Sequence, residues 1–243
     1  MDVRLFETAD EAARALADRI AGAVRMQPDV VLGLPTGKSP LGAYAELRRM
    51  HDAGAVDFSR VQTFNLDEFA GVHAAHPGSF RRFMDEHLFR HVNLGAANIH
   101  FLDGAADDLD AECARYEADI TAVGGIDLQL LGIGANGHIG FNEPGDELIA
   151  WTHRVSLHDV TRRDNASMFG GEAGSVPREA LSMGMGTILK AAAIVLIATG
   201  ERKSSCVQRM LRGPLTTRFP ASFLQTHRHV EVFLDRAAAT LLI

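Results

Sequence analysis

The residues best suited to chemistry are concentrated in one stretch, Leu130-Leu131-Gly132-Ile133-Gly134-Ala135-Asn136-Gly137-His138-Ile139-Gly140-Phe141-Asn142-Glu143-Pro144-Gly145. An apolar run over 126–131 predicts a buried strand. The chain then breaks into glycines, with Asn136, His138, Asn142 and Glu143 set among them. Glycine permits positive φ and close approach of backbone to a ligand. His138 and Glu143, five residues apart on such a loop, are candidate proton-transfer groups; the alternative is a polar turn with a surface histidine. A second stretch, Pro35-Thr36-Gly37-Lys38-Ser39-Pro40, lies between a short apolar strand and a helix. Helix-end amides and the macrodipole favour an anion there, with hydroxyls from Thr36 and Ser39 and charge from Lys38. It is too short for a nucleotide-type phosphate loop, and a plain capped turn is the other reading. Asp67 and Glu68 end a third strand, on the edge where open α/β sheets bind ligands. Lys203, in the first turn of a late helix, opposes the usual preference for acids there and points to an anionic ligand between helix ends; an exposed lysine is the alternative.

These groups need elements to hold them. Thr8 and Glu11 have capping-box spacing ahead of Ala12, Leu16, Ile20 and Val24, which predicts a helix ending near Met26. Strands are expected at 29–34, 60–66, 99–102, 126–131, 153–157, 193–199 and 230–234. Helices are expected at 41–51, 79–91, 107–123, 160–169 and from Gly200 through Leu211, with a short last helix starting at Asp235. Ser182-Met183-Gly184-Met185-Gly186 suggests close backbone packing. Strands alternate with helices, without a long linker or internal repeat. That pattern is one α/β domain over residues 1–243 with a doubly wound, mostly parallel sheet.

Composition narrows the partners. The chain has 243 residues, 47% hydrophobic and 23% charged, with a net charge of −7, which is ordinary for a globular protein and argues against nonspecific nucleic-acid binding. Cys113 and Cys206 form neither a disulfide framework nor a Cys-x-x-Cys metal site, so a reducing compartment is favoured. No signal-like segment opens the chain and no apolar run approaches about 20 residues; the expectation is a cytoplasmic protein without membrane partners. No Gly-x-Gly-x-x-Gly opens a helix after a strand and no His-Glu-x-x-His cluster occurs, so neither a dinucleotide cofactor nor a metal is expected.

Leu34-Pro35-Thr36-Gly37, Phe64-Asn65-Leu66-Asp67-Glu68-Phe69, the whole Gly132–Gly145 loop and Thr199-Gly200-Glu201-Arg202-Lys203 resemble, in order and spacing, the glucosamine-6-phosphate deaminases of the glucosamine/galactosamine-6-phosphate isomerase family. Related 6-phosphogluconolactonases usually carry Asp-Gly-His-Thr-Ala-Ser where this chain has Ile139, Gly140 and Phe141 after the histidine. The resemblance implies a Rossmann-like fold shared with ribose-5-phosphate isomerase A and CoA transferase-like proteins. It implies conversion of D-glucosamine 6-phosphate and water to D-fructose 6-phosphate and ammonia, with no cofactor. By the same resemblance His138 opens the sugar ring, Glu143 and Asn136 support it, and Asp67 is the C2 base. Thr36, Gly37, Lys38, Ser39, Glu68, Gly137 and Lys203 contact the substrate, Glu68 being ranked below Asp67 and also able to tune it.

Departures from the family pattern carry expectations of their own. Many members have a phosphate-binding arginine at the position of Ser167 and a small residue at that of Lys38, so Lys38 is expected to substitute for the missing cation. His153 and Val155 stand where allosteric members carry basic residues, so hyperbolic kinetics are expected. Galactosamine 6-phosphate, lactone hydrolysis and a non-catalytic sugar-phosphate sensor remain as alternatives. The sensor is the weakest, because Asp67, His138 and Glu143 are all present. A homo-oligomer is left open, and the glycines at 170, 171 and 174 mark 147–174 as the mobile part of the chain.

Overall fold

The computed structural model describes every residue from Met1 to Ile243. In chain order the elements are β1 (Asp2–Phe6), α1 (Ala9–Met26), β2 (Val31–Leu34), α2 (Leu41–Asp52), β3 (Gln62–Asn65), β4 (Asp67–Phe69), α3 (Phe80–His87) and β5 (Ile99–His100). They continue with α4 (Leu109–Ala122), β6 (Leu128–Leu131), β7 (His153–Ser156), α5 (Asp159–Asn165), β8 (Glu179–Ser182), α6 (Met185–Leu189), β9 (Ala193–Ala198), α7 (Ser204–Arg212) and β10 (Val230–Asp235). Seven strands form one sheet in the order β1-β10-β9-β6-β2-β3-β5, and three form a smaller one, β4-β8-β7. Every pairing in the large sheet is parallel; both in the small sheet are antiparallel. The expected doubly wound α/β architecture is therefore present, with an antiparallel addition.

The central strands are almost wholly apolar, with Gln129 of β6 the buried exception, because both their faces are covered. Leu128 and Leu130 of β6, with Val195 and Ile197 of β9, pack with Leu16, Ile20, Tyr44 and Leu47 of α1 and α2. Leu131, Ile194 and Leu196 face the other way, against Tyr116, Ile120, Val207 and Met210 of α4 and α7. A third cluster lies beneath the small sheet. There Phe69 packs with its ring centroid 4.7 Å from that of Phe80 and 5.3 Å from that of Phe141. α1 starts as expected: Thr8 Oγ1 accepts the Glu11 amide at 3.2 Å, and the Glu11 carboxylate accepts the Glu7 amide at 3.0 Å. Gly184 and Gly186 bear out the close packing, since a Cβ on either would lie 2.3 Å from Trp151 O or 2.8 Å from Ala150 O respectively.

Three parts differ from the sequence reading. β1 was not expected: it is an edge strand whose Val3 and Leu5 stay 43% and 46% exposed, and its pairing with β10 joins opposite ends of the chain. Asp67–Phe69 is not the end of the preceding strand but a separate strand of the second sheet, with Asp67 opposite Ser182. Asp235 closes β10 instead of starting a helix. Its carboxylate accepts the Gly200 amide at 3.0 Å and the Ala238 amide at 2.8 Å, and residues 236–242 form turns. Cys113 and Cys206 are buried and unpaired. No helix is long and apolar enough to cross a membrane.

Candidate active site

After β2 the chain builds the sheet in one direction through β3 and β5, then returns to add β6, β9 and β10 on the opposite side of β2. A crevice must open between the loops leaving β2 and β6, at the carboxyl ends of the strands, where such sheets bind ligands. A cavity of about 190 Å³ occupies that place. Its wall comes from residues 35–39 after β2, Leu66 and Asp67 after β3, Gly132, Ile133, Gly134, His138 and Gly140 after β6 and Lys203 after β9.

One end of the cavity is built for an anion. Gly37 turns the 35–39 loop with φ of 97°, and the buried Tyr44 hydroxyl donates to Pro35 O at 2.6 Å, fixing the loop against α2. α2 has no side-chain cap and no acid in its first turn, so its leading amides and dipole are not neutralised by the protein. Lys38 is exposed on this wall. Lys203 is held by donation from Nζ to Ile133 O at 2.7 Å.

Asp67 lies at the junction of the two sheets. The chain leaves β3 at Asn65 and enters β4 at Asp67, and Leu66 O receives the Met183 amide at 2.7 Å. This places a carboxyl group, only 7% exposed, on the cavity wall. Burial, then the Glu68 charge beside it, pushes Asp67 up to about 8. Gly140 is needed opposite: its φ is 58°, and a Cβ there would lie 3.1 Å from Ser182 Oγ and 3.5 Å from Asp67 Oδ2.

Glu68 does not face the cavity, which corrects its assignment as a substrate contact. Its Oε1 accepts the Phe69 and Phe80 amides at 2.8 and 3.0 Å, and its Oε2 accepts the Ser79 hydroxyl and Arg81 amide at 2.7 and 3.0 Å. It is consumed at the amino end of α3, where a carboxylate meets unpaired helix donors. Its charge still acts on Asp67, which is the tuning role.

The loop after β6 carries Gly-x-Gly-x-x-Gly spacing at Gly132, Gly134 and Gly137 but opens no helix. It folds back through Gly134 N to His138 O and Gly137 N to Gly134 O, both 3.0 Å. The His138 ring lies over Gly134, so closely that a Cβ there would fall 2.3 Å from Cε1. Its Nδ1 points to Glu143 Oε2 at 3.7 Å, which leaves Nε2 as the free nitrogen of this cavity-lining ring. Asn136 Nδ2 donates to that same oxygen at 2.9 Å, and Asn136 Oδ1 accepts the His138 amide at 3.1 Å. Asn136 and Glu143 thus form a layer behind the histidine. Burial lowers the His138 pKa, against the opposing pull of Glu143, so the ring is held neutral and able to accept a proton. Gly137 is not on the wall either: with φ of 89° it packs against Phe219, 2.2 Å from where a Cβ would lie, and its carbonyl accepts the Ala221 amide at 2.9 Å. Its expected substrate contact is therefore also corrected.

The remaining expected residues, Thr36, Gly37, Lys38, Ser39, Asp67, His138 and Lys203, share the one cavity. Sequence reasoning did not single out Phe80, Phe141 and Asp164, which also line it, or give Asn165 a place there. α5 brings Asp164 and Asn165 in because Glu143 Oε1 accepts the Thr161 hydroxyl and, at 3.3 Å, the His158 amide. Ser167, two residues beyond Asn165, is exposed and off the wall. No local signal announces these placements, since they follow from the docking of α5. No group of three His, Cys, Asp or Glu side chains is arranged to hold a metal ion.

Comparison with known proteins gives a consistent picture. A family model described as glucosamine-6-phosphate isomerases/6-phosphogluconolactonase matches residues 5–233. Glucosamine-6-phosphate deaminase 2 of Bacillus subtilis (strain 168) is 47% identical over 100% of this chain and 98% of its own length. Glucosamine-6-phosphate deaminase of Halothermothrix orenii is 46% identical, with 100% of both chains covered. Among solved structures, one described as a monomeric glucosamine-6-phosphate deaminase superposes with a TM-score of 0.96 at 42% identity, covering 99% of this chain and 100% of its own. A 6-phosphogluconolactonase from Trypanosoma brucei, 19% identical with a TM-score of 0.77, shares the fold.

Proposed function

Because this chain belongs to the glucosamine-6-phosphate isomerase/6-phosphogluconolactonase family, we propose that its cavity performs the reaction for which its deaminase relatives are named. D-glucosamine 6-phosphate and water become D-fructose 6-phosphate and ammonia. The observation that carries this reading is the pairing, in one cavity, of a neutral, partly buried imidazole with a carboxyl group raised to about 8, beside an anion cradle.

The phosphate sits against the amides and hydroxyls of residues 36–39, with Lys38 and Lys203 as charged partners; such bonds are about twice as strong as neutral ones. His138 Nε2 takes the proton of the anomeric hydroxyl and returns one to the ring oxygen, opening the pyranose. Glu143, with Asn136 beside it, orients the ring and stabilises the transient imidazolium. The Asp67 carboxylate then removes the proton from C2, and the electron pair moves onto the C1 carbonyl oxygen, which takes a proton from the substrate's own C2 ammonium group to give an enolamine between C1 and C2. The same group delivers the proton to C1, which leaves an iminium at C2. Water adds at C2 and the nitrogen leaves as ammonia, giving the ketose. A carboxyl group raised by a dry site suits both directions of the shuttle. Every group used comes from one chain. Lys38 supplies the charge that the arginine position at Ser167 lacks. Without the basic residues at 153 and 155, the kinetics are hyperbolic and insensitive to N-acetylglucosamine 6-phosphate.

The test is ammonia release from glucosamine 6-phosphate, run beside galactosamine 6-phosphate and 6-phosphogluconolactone. The expected result is ammonia and fructose 6-phosphate from the first, with Asp67→Asn binding the substrate but failing to exchange its C2 hydrogen with solvent. Turnover of the lactone alone, or a fully active Asp67→Asn enzyme, overturns the reading.

A further inference from the structure

Three nitrogens converge on one carboxylate oxygen behind the cavity. Asn136 Nδ2 reaches Glu143 Oε2 at 2.9 Å, His158 Nδ1 lies 3.6 Å from it and His138 Nδ1 lies 3.7 Å from it. His138 Nδ1 is buried without a hydrogen-bond partner, although a carboxylate oxygen has room for two donors. The partner it lacks is the oxygen that Asn136 holds and His158 contests. His158 differs from His138 in position: its side chain is 51% exposed, whereas that of Glu143 is 5% exposed. It also stands at the start of α5, where its amide and the Thr161 hydroxyl bind the other oxygen of Glu143.

We propose that His158 is a positioning residue for proton transfer: as a cation it takes up Glu143 Oε2 and so keeps His138 neutral, able to act as a base, at lower pH. The two imidazoles compete for one counter-charge. When the accessible His158 carries a proton, a second proton on His138 meets a neighbouring positive charge and an occupied carboxylate. The other groups facing His138 are Lys203, which opposes a charge on the ring, and Asp164 of α5, which favours one; Asp67 lines the same cavity. His158 acts in the same sense as Lys203. It does so from the segment that carries Asp164 and Asn165, so the base and the wall residues of α5 depend on the same carboxylate.

This inference uses His138 as the ring-opening base and so rests on the function proposed above, but its test has a part that needs no substrate. The imidazole of His138 is titrated by NMR in the substrate-free wild type, His158→Asn and His158→Lys, and the pH dependence of kcat/KM is measured on all three. The two nitrogens lie 3.7 and 3.6 Å from one oxygen and so at most about 7 Å apart; two like charges at that distance in an intermediate dielectric shift each other by roughly half a pH unit or more. In His158→Asn, His138 should take up its proton at higher pH by about that amount, a roughly threefold loss of activity on the acidic limb. In His158→Lys, the permanent cation should move both curves to lower pH. Unchanged His138 titration in both variants, or shifts in the same direction, overturns the proposal, since a purely structural role for His158 does not distinguish asparagine from lysine by sign. If no hexosamine phosphate is turned over, the NMR arm still decides whether His158 governs His138.

Discussion

Replacing Asp67 by asparagine should abolish turnover and, at the same time, stabilise the fold in a pH-dependent way. The carboxyl group is raised to about 8 in the folded protein by burial and by Glu68, while an unfolded aspartate titrates near 3.9. The folded pKa is the higher one, so the native state suffers no ionisation cost below about pH 4. That advantage is lost progressively as pH rises to about 8, because only the unfolded chain ionises freely over that interval. About four units at 1.36 kcal/mol each set an upper bound on the order of 5 kcal/mol. Asparagine keeps a buried polar amide with its own desolvation cost, so a net gain of about 2–3 kcal/mol at pH 8 is the expectation. In a protein of this size that raises the melting temperature by roughly 5–10 °C. Urea titrations of both proteins at pH 4.5, 6 and 8, compared at equal m-values, measure the difference. It should grow with pH and level off above about 8. A difference that stays constant over this range, or a wild type more stable than the variant at pH 8, would refute the claim that the group is held neutral by its surroundings.

Glu68→Gln removes the charge that helps raise Asp67, so the acidic limb of kcat should move to lower pH; melting should fall with the loss of an acceptor at the start of α3, worth about 2 kcal/mol. A limb that stays in place would show that burial alone sets Asp67. Gly134→Ala drives a methyl group to within 2.3 Å of the His138 ring and should reduce kcat on the closed sugar by about a hundredfold through misplacement of the base, with KM little changed; steady-state kinetics separate the two. Lys38→Ala and Lys203→Met should each raise KM for the sugar phosphate by roughly tenfold or more, while phosphate-free glucosamine responds little. Equal effects on both sugars would mean that neither lysine binds the phosphate.

The parallel sheet was legible because its central strands are buried on both faces and therefore read as predominantly apolar runs, such as the unbroken one at 193–198 and that at 126–131, which only Asp127 and Gln129 interrupt. The amphipathic helices between them show the complementary period. The glycines and polar groups of the 132–145 loop were legible for a related reason: a chain that must turn tightly around a reactive group has few residue types to choose from. β1 was not legible, because an exposed edge strand lacks that apolar signature and its partner lies at the other end of the sequence.

Sequence alone settled the types of residue available for chemistry and the strand ends that carry them, since local periodicity and turn chemistry are properties of neighbours. Only the tertiary structure decided which way each side chain faces. Adjacent residues on β4 point to opposite faces, so Asp67 enters the cavity while Glu68 goes to the start of α3. Likewise only the docking of α5 on Glu143 brings His158 beside a carboxylate fifteen residues earlier in the chain. Facing and docking are set by packing among distant segments, which no local pattern encodes.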